Sequence, residues 1–240
     1  DAIRLSPSIL RDFLSFTLFS LPGQREQVID RQVLLSNHHR VVSMEKTQIA
    51  RNILRQIMRK IPREEHHLLC AFLAGDIAYF LAHREPREVA AIGEMVNGSD
   101  IDIIIVEDGL SEESIQLIDQ EMMSFKNYYL RHPDYREEVD YICKSKETMF
   151  DQLAYQNIDQ KIASKIAYEA ISLAGSVEIF SQIKNQVDAA GTKDLIERDF
   201  LYGLDNRKKA MRTLLSTDAQ SIDADTESLF FFSQERVEFK

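Results

Sequence analysis

Asn97–Gly98–Ser99–Asp100–Ile101–Asp102–Ile103–Ile104–Ile105–Val106 joins a turn to a strand, and two acids sit at the joint. Asn-Gly-Ser supplies turn chemistry. The Ile-rich run that follows has the composition of a strand covered on both faces. Side chains alternate along a strand, so Asp100 and Asp102 project to the same side at its start. Carboxylates so placed can share one or two hard cations. Asp is also common at turn-to-strand boundaries, where such a pair simply meets solvent. The Gly-containing turn before the acids and the apolar strand after them favour a site.

Upstream, Leu68–Leu69–Cys70–Ala71–Phe72–Leu73 is a short apolar run ending at Gly75–Asp76, and it predicts a buried strand, a tight turn and a short helix from Ile77 to His83. Downstream, Ile115, Ile118, Met122, Phe125 and Tyr129 recur at helical spacing, so Ser111 to Arg131 reads as a core-facing helix with Ser111 as its cap. Glu137 to Cys143 alternates and reads as a third strand. Val139, Tyr141 and Cys143 share one face, and Glu138, Asp140 and Ile142 the other.

Ser43 to Ile61 predicts an amphipathic helix capped by Ser43, with Ile49, Ile53, Ile57 and Ile61 on one stripe and Arg51, Arg55 and Arg59 on another. From Arg31 to Arg63 eight Lys or Arg stand against one acid, Glu45. A solvated face accounts for such a stripe, and a contact to RNA or triphosphate is the sharper alternative. Past Thr148 strand signals thin out. Ile158–Leu173 and Val177–Val187 read as helices punctuated by Gly175 and Gly191, and Asp194–Leu215 as a helix pair or one long helix. The tail from Ser216 is polar and acidic up to Glu227, then gives Leu229–Phe230–Phe231–Phe232, suited to a docking strand or a partner-binding patch. The expected division is 1–150, N-terminal helices plus core, and 151–240, a helical region with a polar tail.

With 240 residues, 44% apolar, the chain has ample material for a core. The net charge of −10 argues against a protein that coats nucleic acid through overall charge. Cys70 and Cys143 make neither a metal-ligand spacing nor a disulfide framework, so a reducing, cytoplasmic setting is expected. The apolar stretch from Ile9 to Leu21 is broken by Arg11 and Asp12 and is too short to span a bilayer, so no membrane association is expected. The histidines form no His-x-x-x-His pair, and neither a Gly-x-Ser-x-Gly elbow nor a Walker-type lysine loop is present.

Gly98–Ser99–Asp100–Ile101–Asp102–Ile103–Ile104–Ile105 resembles the second half of the nucleotidyltransferase-superfamily motif, and Leu73–Ala74–Gly75–Asp76–Ile77–Ala78–Tyr79–Phe80–Leu81–Ala82–His83–Arg84 its first half. The pattern is most similar to that of AbiEii-type abortive-infection toxins, toxin–antitoxin proteins. The resemblance implies an α/β (α+β) fold, a small mixed sheet flanked by helices with a helical C-terminal region. It implies that Asp100, Asp102 and a third carboxylate, Asp140, hold Mg2+ or Mn2+. Gly75, Asp76 and Ser99 would line the triphosphate, with Lys165, or Lys161 one turn earlier, on the phosphates. The implied activity moves a nucleoside monophosphate from a nucleoside triphosphate, such as ATP, to a hydroxyl on RNA (tRNA-like) or protein, with pyrophosphate leaving.

Two departures from the pattern support an alternative, a degenerate member serving as a nucleotide-sensing or protein-interaction module. Asp76 stands where the superfamily has Ser, Gly or Thr, and the interval from Gly75 to Asp100 implies an inserted loop at 83–97. A third class is an interaction protein that uses its acidic surface and Phe-rich tail.

Overall fold

The computed structural model describes residues 23–89, 92–189 and 191–199, with 201, 202, 205 and 212 beyond them. Residues 35–196 form one compact unit, and the described residues on either side of it belong to a second. The Phe230–Phe232 patch, the Ile9–Leu21 stretch and most of Asp194–Leu215 lie outside the described residues. Among the described residues no helix is long and apolar enough to cross a membrane.

In chain order the elements are α1 (Arg25–Met58), a 3-10 turn (Arg63–Leu68), β1 (Leu69–Leu73), α2 (Gly75–Ala78), β2 (Pro86–Val89), β3 (Glu94–Asn97) and β4 (Ile101–Glu107). They continue with α3 (Glu112–Arg131), β5 (Val139–Ser145), α4 (Lys146–Gln152), α5 (Ile158–Glu169), β6 (Ile171–Gly175) and α6 (Val177–Ala189). Four strands make a mixed sheet in the order β5-β4-β1-β6, and β2 and β3 pair as a separate hairpin. β4 and β5 run parallel, which a tight hairpin cannot achieve, and α3 is the crossover between them. β1 is antiparallel to both of its neighbours. The expected class, a small mixed sheet flanked by helices, is the observed one.

The alternation of β1 and β4 builds two cores. Leu69, Ala71 and Leu73 with Ile101, Ile103 and Ile105 face Ile53, Leu54 and Ile57 of α1 and Ile118 and Met122 of α3. Cys70, Phe72, Ile104 and Val106 face Met149 of α4, Ala167 of α5 and Ile179, Ile183 and Val187 of α6. β1, at the centre, is buried along its whole length. Fully burying an aliphatic side chain contributes about 1.5–3 kcal/mol, so these two layers fix where β4 begins. Ser111 caps α3 as expected, its hydroxyl accepting from the Ser114 amide.

The structure corrects four sequence-based expectations. Ser43 does not cap a helix: α1 starts at Arg25, because no Gly or Pro interrupts the chain between there and Met58. The Ser43 hydroxyl instead donates to the His39 carbonyl at 2.8 Å and accepts from the Ala82 amide at 3.1 Å. The helix expected from Ile77 to His83 is the four-residue α2, stopped where Phe80 takes a left-handed φ of 58°. The helix expected to run to Leu173 ends at Glu169, and Ile171–Gly175 pairs with β1 as an edge strand. A boundary at residue 150 would therefore cut the sheet, since β6 and the helices over its second face belong to the same unit. Within 83–97, where the resemblance implied an inserted loop, Pro86–Val89 and Glu94–Asn97 pair as the hairpin β2–β3.

Candidate metal centre

Parallel pairing sets Asp102 of β4 directly beside Asp140 of β5. Both point to the second face of the sheet, ahead of the stretch where Ile104 and Val106 pass beneath the helices. Asp100 precedes Asp102 on the same side. One carboxylate oxygen from each of Asp100, Asp102 and Asp140 lies within 4.8 Å of the others, and all three residues are partly buried. An all-oxygen set of this kind fits a hard divalent cation rather than a soft one. The three residues could hold a metal ion, as their sequence positions suggest.

Crowding shows in the protonation of Asp102. Burial first, then the carboxylates of Asp100, Asp140, Asp76 and Glu138, push its carboxyl up to about 7. Glu138 was not singled out in the sequence, although it shares the Asp140 face. Burial raises its carboxyl too, against the opposing pull of Arg87.

Cations ring the acids. Arg87 of β2 donates to Glu138 at 2.6 Å and to the Gly98 carbonyl at 2.7 Å, and lies 3.6 Å from Asp100. Lys126 of α3 pairs with Asp140. Neither cation carries a motif, and only the fold brings them here.

Gly75 lies against Asp102. Its φ is +70°, and a Cβ there would stand 2.9 Å from Asp102 Oδ2, so only glycine lets the turn and the carboxylate approach this closely. The Ala74 amide donates to the Asp102 carbonyl at 3.3 Å. Ser99 is buried, its hydroxyl donating to Asp76 at 3.0 Å and accepting from the His83 amide at 3.2 Å.

Lys165 donates to Glu169 at 2.7 Å and sits over the Tyr79 ring at 5.5 Å. The other Glu169 oxygen accepts the Gly75 amide at 2.8 Å. The Glu169 side chain, 2% exposed, thus ties Lys165 to the glycine turn. Its one sequence signal was the four-residue spacing from Lys165 on a helix. Lys161 lies over Tyr155, 5.1 Å from the ring centroid. Arg51 and Arg55 on α1, and Arg59 in the turn just past its end, are exposed, and Arg55 bonds to Asn52.

A pH dependence follows. The folded value of Asp102 lies above the unfolded value of about 3.9, so its contribution to stability is full below pH ~4 and is lost as the pH rises through about 7. In chelator, the thermal midpoint of the wild type is expected to fall between pH 5 and pH 8 more steeply than that of Asp102→Asn. Equal slopes would show that Asp102 titrates as an ordinary surface acid. A divalent cation binds the deprotonated form, so its stabilising effect should grow across the same interval.

No protein-family model matches this chain, and no curated protein matches it.

Proposed function

We propose that the chain is a metal-dependent nucleotidyltransferase that moves a nucleoside monophosphate from a nucleoside triphosphate to a hydroxyl on RNA or protein. The observation that carries this reading is the meeting of Asp100, Asp102 and Asp140 beside the Gly75 turn. Asp100, Asp102 and Asp140 would hold Mg2+ or Mn2+, which offsets phosphate charge and orients in-line attack. Asp140, on the edge strand β5, would hold one metal or accept the acceptor hydroxyl's proton once its pairing with Lys126 loosens. The acceptor oxygen bonds to the α-phosphorus as the bond to pyrophosphate breaks. Lys165 is half exposed and reaches phosphate by letting go of Glu169.

The second reading, a degenerate nucleotide-sensing or interaction module, is favoured by the fourth acid at the turn, Asp76, which adds to the negative field on Asp102. Incubation with each of the four radiolabelled triphosphates, total RNA and cell extract, with and without Mg2+, separates the two. Metal-dependent labelling of RNA or protein supports transfer. Metal-dependent nucleotide binding without labelling supports the module, and indifference to both nucleotide and metal removes both.

A further inference from the structure

Lys46 of α1 has no solvent exposure at all, and the side chain of its partner, Glu137, is 3% exposed. The ammonium donates to the Glu137 carboxylate and to the Asn97 carbonyl, the latter at 2.9 Å. These two acceptors belong to the two chain segments that carry the acids. Asn97 ends β3 three residues before Asp100, and Glu137 lies three residues before Asp140. The segments are laced to each other there as well. The Asn97 amide donates to the Arg136 carbonyl at 2.8 Å, and the Ile101 amide to the Glu138 carbonyl at 2.9 Å. β4 and β5 therefore leave one small knot of backbone, and a single ammonium sits in it.

We propose that Lys46 is a positioning residue for the carboxylates: bridging Asn97 and Glu137, it sets the spacing between Asp100–Asp102 and Asp140. The inference rests on the metal-centre reading above. Stability alone does not account for the pair. Taking both charges out of water costs more than an apolar pair of similar volume would, and such replacements are neutral or stabilising in many proteins. Burial accordingly pulls the Lys46 amine down and pushes the Glu137 carboxyl up. An apolar pair would fill the space between α1 and the sheet equally well. It would not bond to the Asn97 carbonyl, and so would leave the relative height of the two strand starts to the two backbone bonds alone.

Mn2+ titration followed by electron paramagnetic resonance, with thermal unfolding of the same samples, tests the proposal. Lys46→Met/Glu137→Leu leaves the net charge near the acids unchanged, so a change in affinity reads geometry rather than field. It is expected to fold with a midpoint at or above that of the wild type and to bind Mn2+ about tenfold more weakly. Glu137→Asp keeps the charge but draws the carboxylate back by one methylene, and is expected to weaken Mn2+ several-fold. Wild-type affinity in the folded double variant overturns the proposal. If that variant does not fold, wild-type affinity in Glu137→Asp overturns it instead. A wild type that binds no Mn2+ removes the metal centre itself and this inference with it, a result distinct from equal binding by wild type and variants.

Discussion

Asp100→Asn/Asp102→Asn is expected to abolish metal binding and label transfer while leaving the metal-free protein as stable as the wild type, or more so. Asparagine keeps the shape of each side chain and removes the charge. If the metal supplies several kcal/mol toward the transition state, transfer should fall by on the order of a thousandfold or more. The stability side rests on the crowding around Asp102, whose ionised form is disfavoured by burial and by four neighbouring carboxylates. Neutralising it removes repulsion. The cost is small, because Arg87 gives up a partly exposed partner at 3.6 Å and retains Glu138 at 2.6 Å. Thermal unfolding in chelator and a labelling assay on the same preparation are the measurements. Transfer that persists would end the catalytic assignment. A midpoint well below that of the wild type would mean that the acids are structural.

Gly98→Ala should be the most damaging single methyl in the site. Its φ is +74°, and a Cβ would lie 1.9 Å from the His83 carbonyl oxygen and 2.7 Å from the Arg84 Cα, both backbone atoms with nowhere to go. The left-handed conformation alone costs about 1 kcal/mol for a residue with a side chain. Forcing two backbone segments apart raises the expected loss to about 3 kcal/mol or more, a drop in midpoint of roughly 10 °C for a unit of this size. Gly109 is the matched control. Its φ is +89°, but nothing lies within 4 Å of a Cβ there, so Gly109→Ala should show the conformational cost alone. Equal losses at the two positions would mean that the approach of His83 to Gly98 is not tight. The fraction of Gly98→Ala that still folds should also bind Mn2+ poorly, because the displaced chain leads directly into Asp100.

The strand that carries the acids was legible because Ile101–Val106 is too apolar for a surface loop and too short for a free-standing helix. Alternation placed Asp140 with Glu138, and the register of β4 against β5 then put it beside Asp102. β6 was hidden because Ile171–Ser172–Leu173 continues the apolar spacing of α5, and local periodicity does not reveal that β1 has a second edge to pair. The start of α1 was misplaced because Ser43 has the chemistry of a cap, while its hydroxyl bonds back to the His39 carbonyl one turn earlier in the same helix and takes the Ala82 amide, which only tertiary packing brings to it. Arg87, Lys126 and Glu169 were missed for a related reason. Each reaches the site from a separate element, and single long side chains leave no periodic trace.

His83 and Ser99 bond to each other twice: the Ser99 amide donates to the His83 carbonyl at 3.2 Å, and the His83 amide to the Ser99 hydroxyl at 3.2 Å. The chain thus departs into β2–β3 and returns at the same point in space, so the number of residues between those rungs does not set where Asp100 lies relative to Gly75. Closing a longer or shorter excursion changes the entropic cost only slowly, by about 0.6 kcal/mol per doubling of length. Distance along the polymer and distance through the fold are decoupled at this junction. A pattern that fixes the number of residues between the glycine turn and the first acid therefore measures the hairpin, and the length of this interval carries no information about how the acids are arranged.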